Sequence, residues 1–208
     1  MNSKNYLIKP NSSKNHYFIG TIINSQDTIN QLCVLQNVLK NKKFGIDHFF
    51  PYDKFYSGFI YLGYIENNVA QIITNYLNPL FLAITEEIGQ IECEYTGFEY
   101  YHKNNIEAIN ILYDCKMIRD IIVPYLINCG INNFTDNKID SNIVNKLFIP
   151  LISIDKIKNN NTNILDDNIK QLYLPRNKKF FIETIDVLSG IPILNNVRIV
   201  SSYPLKNN

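Results

Sequence analysis

The feature that most constrains the fold is a regular alternation of short β-branched apolar runs with longer segments of helical period. Runs such as Tyr17–Ile23 and Phe55–Leu62 are too short for helices and are bounded by Asn, Ser or Gly, as is typical of strands. Between these runs, a segment that Ser25 or Asp27 can cap repeats apolar residues at helical spacing up to Leu39. The pattern therefore predicts an α/β protein.

The same alternation continues to the end of the sequence and yields the order β-α-β-α-β-β-α-β-α-β-β. This order divides into two similar lobes, each a small antiparallel sheet backed by helices, of the α+β type. We expect a flexible leader over residues 1–16 and one bilobal domain over residues 17–205. The further elements are predicted at Asn67–Leu82 (helix, with Pro79 perturbing its last turn), Ile91–Tyr95 and Ile109–Tyr113 (an antiparallel strand pair), Lys116–Cys129 (helix, ended by Gly130), Leu147–Ile154 (strand), Ile164–Leu172 (helix), and Phe180–Leu188 and Val197–Ser202 (strands).

Length and composition favour a single self-sufficient unit. The 208 residues are 46% hydrophobic and 19% charged, enough apolar surface for a core without metals or disulfides. A formal net charge of +1 excludes a global basic surface for long nucleic acids. Two local basic clusters, around Lys42 and around Lys178, are either contacts for a nucleic acid or solvated chain segments. Heavy use of Asn, Ile and Lys is typical of an AT-rich genome, so the Asn tracts carry little functional information.

The cysteines and the termini narrow the setting. Cys33, Cys93, Cys115 and Cys129 stand far apart, with no CxxC pair and no companion His at zinc-ligand spacing, so neither a metal site nor another cofactor is expected. The start of the sequence lacks the apolar run of a signal peptide, and no stretch reaches the length of a membrane span. Reduced thiols in the cytoplasm are the expectation.

Several local patterns follow one another in a familiar order. They are Phe18–Ile22 followed by a helix, Phe59–Gly63, Tyr95–Phe98, Phe148–Ile154 and the closing Arg198–Leu205. In this order the chain resembles the two-histidine (2H) phosphoesterase superfamily, which includes the LigT proteins and 2′,5′-phosphodiesterases. Each pattern is short and degenerate, but together they extend over residues 17–205. The resemblance implies a two-lobed fold with a central cleft.

Active members of that superfamily carry two His-x-Thr motifs that face one another across the cleft. One imidazole removes a proton from the attacking hydroxyl, the other protonates the leaving oxygen, and the threonines hold the phosphate. The resemblance places Tyr56 and Gly58 at the first histidine and threonine positions, and Leu151 and Ser153 at the second. A phenol with a reference pKa of about 10 is a poor base at neutral pH, and leucine cannot move a proton. Only Ser153 retains a family role.

The three histidines of the sequence offer no complete replacement. His16, His48 and His102 precede or follow predicted strands, where a lone histidine is usually an exposed bystander. His48 is the one catalytic candidate, because Asp47, Asp53 and Tyr56 are close to it in sequence. A single histidine still leaves the acid–base pair incomplete. The sequence also lacks a Gly-rich phosphate loop, a GxSxG motif and an HExxH motif.

The resulting hypothesis is a catalytically inactive 2H-like protein that binds a nucleotide, cyclic oligonucleotide or RNA end in its cleft. Two alternatives stay open: a protein–protein interaction module whose cleft is filled by Leu151 and its neighbours, and a phosphodiesterase that uses His48 with Tyr56 or Ser153. The aromatic rings are equally well explained as core residues. The predicted ligand-binding residues are Tyr56, Ser57, Ser153, Lys156, Arg176 and Tyr203.

Overall fold

The computed structural model describes residues 14–41, 50–51, 54–103, 106–131, 147–154, 169, 172–190 and 197–206. The strands in these ranges are β1 (Lys14–Ile22), β2 (Tyr56–Glu66), β3 (Ile91–Lys103), β4 (Ile106–Asp114), β5 (Leu147–Ile154), β6 (Lys179–Ile182), β7 (Thr184–Ser189) and β8 (Arg198–Pro204). The helices are α1 (Gln26–Asn41), α2 (Asn67–Glu87) and α3 (Val123–Asn128), the last preceded by a π-helical turn at Ile118–Ile122.

The strands form two four-stranded antiparallel sheets, one in each lobe. The strand order is β2-β1-β7-β8 in the first sheet and β5-β4-β3-β6 in the second. Helix α2 lies against β1, β2 and β8 of the first sheet, whereas α1 crosses over to β5 and β6 of the second. The predicted fold class, two antiparallel sheets with helices in two lobes, is confirmed. Strands β2 and β5 contact each other where the two lobes meet.

Several strand boundaries differ from the prediction. Strand β3 extends to Lys103 and β4 begins at Ile106, where a loop was predicted between Tyr95 and Ile109. Strand β2 continues past Gly63 to Glu66, because residues 14–16 extend β1 and pair with residues 64–66. Gly63 adopts a φ of +116°, which a glycine accepts without strain, at an irregularity in the strand register. The run predicted as one strand over Phe180–Leu188 is two strands, β6 in the second sheet and β7 in the first, separated at Glu183. The apolar pattern continues because both strands are half-buried or buried.

Two helices also differ from the prediction. Pro79 does not end α2, which runs five residues past Leu82 to Glu87 and keeps Phe81 and Ile84 buried. The proline occupies the exposed side, where the loss of one backbone donor is tolerated. In the helical segment before Gly130, Pro124 lies two residues after the end of the π-helical turn at Ile122. A proline has no backbone N–H and displaces the preceding turn, which explains the local change of helix type.

Other predicted elements agree with the structure or lie outside the described residues. Helix α1, strand β5 and the antiparallel pairing of β3 with β4 are confirmed. Gly130 has a φ of +88° at the end of the helical segment, as predicted for a helix stop. The predicted helix over Ile164–Leu172 lies outside the described ranges, apart from Ile169 and Leu172. Of the leader predicted over residues 1–16, residues 1–13 lie outside these ranges and residues 14–16 belong to β1.

Candidate functional site

The strand register identifies the face of the first sheet that carries the inferred motif. Gly58 of β2 pairs with Gly20, Gly20 with Asp186, and Asp186 with Ser202, so these four residues lie side by side on one face. Tyr56 is two residues from Gly58 and points to the same side. We call this surface the motif face of the first sheet.

In the second sheet, the corresponding surface is defined by β5 and β4. Ser153 pairs with Ala108, and Asn110 is two residues further along β4, opposite Pro150. By strand alternation these residues share the motif face of the second sheet. The inferred threonine position is therefore opposite a small residue in both sheets, Gly20 in the first and Ala108 in the second.

The first motif position is enclosed by aromatic rings. Tyr56 is 1% exposed, and its ring centroid lies 5.7 Å from that of Phe18 and 5.9 Å from that of Phe50. A Cβ atom at Gly58 would lie 3.2 Å from Cδ2 of Phe18. The ring of Phe18 thus occupies the space beside the inferred threonine position, where a threonine would hold a phosphate.

The second motif position is enclosed in the same cluster. Leu151 is fully buried, and its carbonyl accepts hydrogen bonds from the backbone N–H of Phe50 (3.2 Å) and from Nε2 of Gln36 (2.8 Å). The same Gln36 nitrogen donates to the Phe50 carbonyl at 2.8 Å. We call Phe18, Phe50, Tyr56 and Leu151 the motif cluster. Its four side chains include no group that titrates near neutral pH.

His16 lies on the motif face of the first sheet, which its position ahead of the predicted strand concealed. Its Nδ1 is hydrogen-bonded to the hydroxyl of Tyr61, and its ring centroid lies 4.9 Å from that of Tyr64. Burial lowers the pKa of His16, which favours the neutral imidazole at pH 7. Tyr64 is 52% exposed, so the three rings form a partly open aromatic group.

The other two histidines add little to this face. His48 lies outside the described residues. His102 belongs to β3 and pairs with Glu107 next to the connection between β3 and β4.

The predicted ligand-binding residues are not gathered at one place. Ser57 is buried and accepts a hydrogen bond from the Tyr113 hydroxyl at 2.7 Å, a contact that joins the two lobes. Tyr203 is adjacent to Ser202 in β8 and therefore faces the opposite side of the first sheet, where its ring packs against Phe81 of α2 at 4.8 Å. Arg176 is exposed in the segment before β6. Ser153 lies in β5, opposite Ala108 of β4. Lys156 lies outside the described residues.

Asp186 is the buried carboxylate of the motif face. Its Oδ2 accepts hydrogen bonds from the backbone N–H of Ile22 (2.7 Å) and from the Thr184 hydroxyl (2.9 Å), and its Oδ1 accepts one from the Ser202 hydroxyl. Burial raises the pKa of Asp186, and these three neutral donors counteract the rise. Asp186 could not be recognised in the sequence, because an acidic side chain inside an apolar run gives no motif signal.

Asn110 has the opposite character on the motif face of the second sheet. It is fully buried, and neither Oδ1 nor Nδ2 has a hydrogen-bond partner. A buried carboxamide without partners costs about 1–3 kcal/mol for each unpaired group. The side chain therefore offers one donor and one acceptor to any group that can reach it.

The two-lobed arrangement with paired motif strands is the fold of the 2H phosphoesterases. TT0787 of Thermus thermophilus superposes with a TM-score of 0.61 over 92% of this chain and 98% of that one, at 9% identity. Escherichia coli LigT complexed with 3′-AMP gives a TM-score of 0.53 (94% and 100% covered, 9% identity), and Kluyveromyces marxianus Usb1 gives 0.55 (93% and 99% covered, 12% identity). The expected resemblance is thus confirmed for the fold. The sequence itself matches no protein-family model and no curated protein.

Two further findings concern the described ranges. No three His, Cys, Asp or Glu residues there are grouped so that they could hold a metal ion. None of the helices in the same ranges is long and apolar enough to cross a membrane.

Proposed function

We propose that this protein is a catalytically inactive 2H-fold protein that binds a nucleotide or RNA end between its lobes. The observation that carries the proposal is the motif cluster, in which Tyr56 and Leu151 occupy both inferred histidine positions and are buried. Leucine has no proton to exchange and a phenol is a poor base at neutral pH, so these two positions do not supply the acid–base pair that cleaves a phosphodiester.

Ligand binding is supported by the aromatic group next to the motif cluster. His16, Tyr61 and Tyr64 share the motif face with Phe18, since Phe18 pairs with Tyr61 and His16 with Tyr64. Exposed rings on a sheet are suitable platforms for a nucleobase, and stacking contributes about 1–3 kcal/mol per base. A base stacked on Tyr64 would lie on the same surface as the inferred phosphate position.

The second sheet supplies a polar complement. The Asn110 carboxamide on its motif face has N–H donors and a carbonyl acceptor, like the edge of a base, but it is fully buried, so a ligand would reach it only after the residues that cover it move. A ligand that reached both motif faces would satisfy the side chain that the protein leaves without partners.

Binding is tested by titrating 3′-AMP into the wild-type protein and into Tyr64→Ala by calorimetry. We expect the exchange of Tyr64 to weaken binding about 5- to 100-fold, the equivalent of about 1–3 kcal/mol of lost stacking. Tyr173→Ala is the matched control, because Tyr173 is 91% exposed and lies outside the motif face. Equal affinity of wild type and Tyr64→Ala would contradict the proposed platform.

Inactivity is tested separately with 2′,5′-linked dinucleotides and 2′,3′-cyclic phosphates as substrates. The proposal expects no turnover above the buffer rate at any pH. Turnover that disappears in His48→Ala would instead establish an enzyme with a relocated catalytic group. Turnover that disappears in His16→Ala would assign that role to the histidine of the motif face.

A protein-binding function is the second candidate, and an exposed apolar patch favours it. Ile72 and Tyr76 lie one turn apart on α2, Ile121 and Tyr125 one turn apart on the segment leading into α3, and all four are 38–61% exposed. The Tyr76 hydroxyl donates to the Cys129 carbonyl, so the two helices are in contact. Contiguous apolar surface of this kind is typical of interaction sites. Retention of a cellular protein by wild type but not by Ile72→Asp/Ile121→Asp, without any nucleotide binding, would favour this candidate.

A further inference from the structure

A polar pocket lies on the other side of the first sheet, away from the motif face. Its volume is about 390 Å³, within the range of small-molecule sites. The floor is a single row of the sheet, because Tyr17 pairs with Ser189 and Ser189 pairs with Arg198. Asn15 and Tyr17 point away from Phe18 and Gly20 by strand alternation, so this pocket and the motif cluster are on opposite faces.

The walls of the pocket are ordered by specific contacts. The Tyr17 hydroxyl donates a hydrogen bond to Oδ1 of Asn67 at 2.8 Å, which fixes the carboxamide at the rim. Gly190, whose φ is +134°, turns the chain so that its backbone N–H donates to the His16 carbonyl at 2.9 Å. The polar atoms are thus held on a strand row and a helix start, which reduces the ordering cost of binding.

The charge of the pocket comes from Arg198. Within the part of the chain that the structure describes, no carboxylate forms an ion pair with this exposed guanidinium. The neighbouring acid, Glu66, lies opposite Lys14 in the register of β1 and β2. Lys14 alternates with Asn15 along β1, so Lys14 and Glu66 belong to the motif face and not to the pocket. Helix α2 begins at Asn67 with the acidic residue Glu66 at its N-cap, so the positive charge of the pocket rests on Arg198.

We propose that this pocket binds the phosphate group of a nucleotide-sized molecule. A guanidinium binds two phosphate oxygens at once, and the hydroxyl of Ser189 and the carboxamide of Asn15 supply further hydrogen bonds. The volume is too large for a lone phosphate ion and suits a phosphate with an attached sugar or base. The site is separate from the nucleotide-binding face proposed above and does not require it.

The test is a titration of the whole chain, observed by the NMR signals of the Gly190 amide and the Arg198 Nε–H. We expect 5′-AMP and inorganic phosphate to shift both signals, and adenosine, which has no phosphate, to leave them unchanged. Acetate distinguishes phosphate from other oxyanions, and shifts equal to those with phosphate would overturn the assignment of phosphate.

Variants connect these shifts to the pocket. Arg198→Gln should weaken 5′-AMP binding at least about tenfold, the equivalent of a lost charge-assisted hydrogen bond, and Arg198→Lys should have an intermediate effect. Lys116→Gln removes another exposed cation outside the pocket and should change the affinity less than twofold. Tyr64→Ala should leave the Gly190 shift intact even if it abolishes binding at the motif face. Unchanged 5′-AMP affinity in Arg198→Gln, or a Gly190 signal that no phosphate shifts, would overturn the proposal.

Discussion

The two strands that carry the inferred motif positions, β2 and β5, occupy equivalent edges of the two sheets and hold different side chains at the inferred histidine positions. In the first sheet, an aromatic side chain, Tyr56, is held among other rings. In the second, an aliphatic side chain, Leu151, is held through its own backbone carbonyl. Phe50 takes part in both arrangements. Its ring lies beside Tyr56 of β2, and its backbone N–H donates to the Leu151 carbonyl of β5. In both sheets the side chain at the inferred histidine position is therefore part of the core.

Removal of the Phe50 ring should destabilise the surroundings of both Tyr56 and Leu151. Phe50 is 2% exposed, and a large-to-small exchange at such a site costs about 3–5 kcal/mol, so we expect Phe50→Ala to lower the free energy of unfolding by that amount. Urea denaturation measures the change. Phe181→Ala is the control, since that ring is 42% exposed, and should cost less than about 1 kcal/mol. A loss below about 1 kcal/mol at Phe50 would show that the motif cluster is not part of the core.

The next prediction concerns the hydrogen bonds that Gln36 donates beside Leu151 in the second sheet. Gln36→Ala removes the amide that bonds to the carbonyls of Phe50 and Leu151, and a buried carbonyl left without its partner costs about 1–3 kcal/mol. Gln71→Ala, on the exposed side of α2, should change the stability very little. If the two variants were equally stable, the bond from α1 to β5 would not be what holds Leu151 in place.

A smaller effect on stability is expected at Gly58, in the strand of the first sheet that carries Tyr56. A Cβ atom at Gly58 would lie 3.2 Å from the Phe18 ring, so Gly58→Ala should destabilise the protein by about 1 kcal/mol as the ring moves. At Gly97, in the irregular part of β3, a Cβ atom would meet nothing within 4 Å, so Gly97→Ala should be neutral or stabilising. A stabilising Gly58→Ala would mean that a threonine still fits at this position.

Much of the fold could be predicted from the sequence, because strand and helix periods are local properties. The inferred motif strands, β5 and the β3–β4 pair were predicted, and the approximate order of elements indicated two lobes. Sheet membership was not predictable in the same way: nothing in the run around Glu183 shows that Phe180 belongs to one sheet and Leu188 to the other. That distinction depends on contacts with strands far away in the chain.

The candidate site was predicted less completely than the fold. The residue types at the inferred motif positions can be read from the sequence, whereas burial of Tyr56 depends on Phe18 and Phe50, which the chain brings together only in three dimensions. His16 and Asp186 carry no sequence motif. Their positions on the motif face follow from strand register, which short apolar patterns leave open.

The last comparison concerns the residues beside the two inferred threonine positions. Gly20 has Asp186 as its other strand neighbour, whereas Ala108 has the half-buried Tyr101, so the first sheet alone places a buried carboxylate there. Because burial raises the pKa of Asp186 in the folded state, the neutral form is favoured by folding. The associated stability is fully present below the pKa of the unfolded chain and is lost as the pH rises through the raised folded pKa.

We therefore expect the free energy of unfolding of wild type to fall relative to that of Asp186→Asn as the pH rises above the ordinary pKa of an aspartate, about 3.9, by at most about 1.4 kcal/mol per pH unit for one proton. The asparagine can still accept from the Ile22 N–H and donate to Ser202, so the variant should fold. Urea denaturation at a series of pH values measures the difference. Asp120→Asn, an exposed carboxylate paired with Arg119, should follow the wild-type curve. If wild type and Asp186→Asn ran parallel, the three donors would balance the burial completely, and the two sheets would not differ electrostatically at this position.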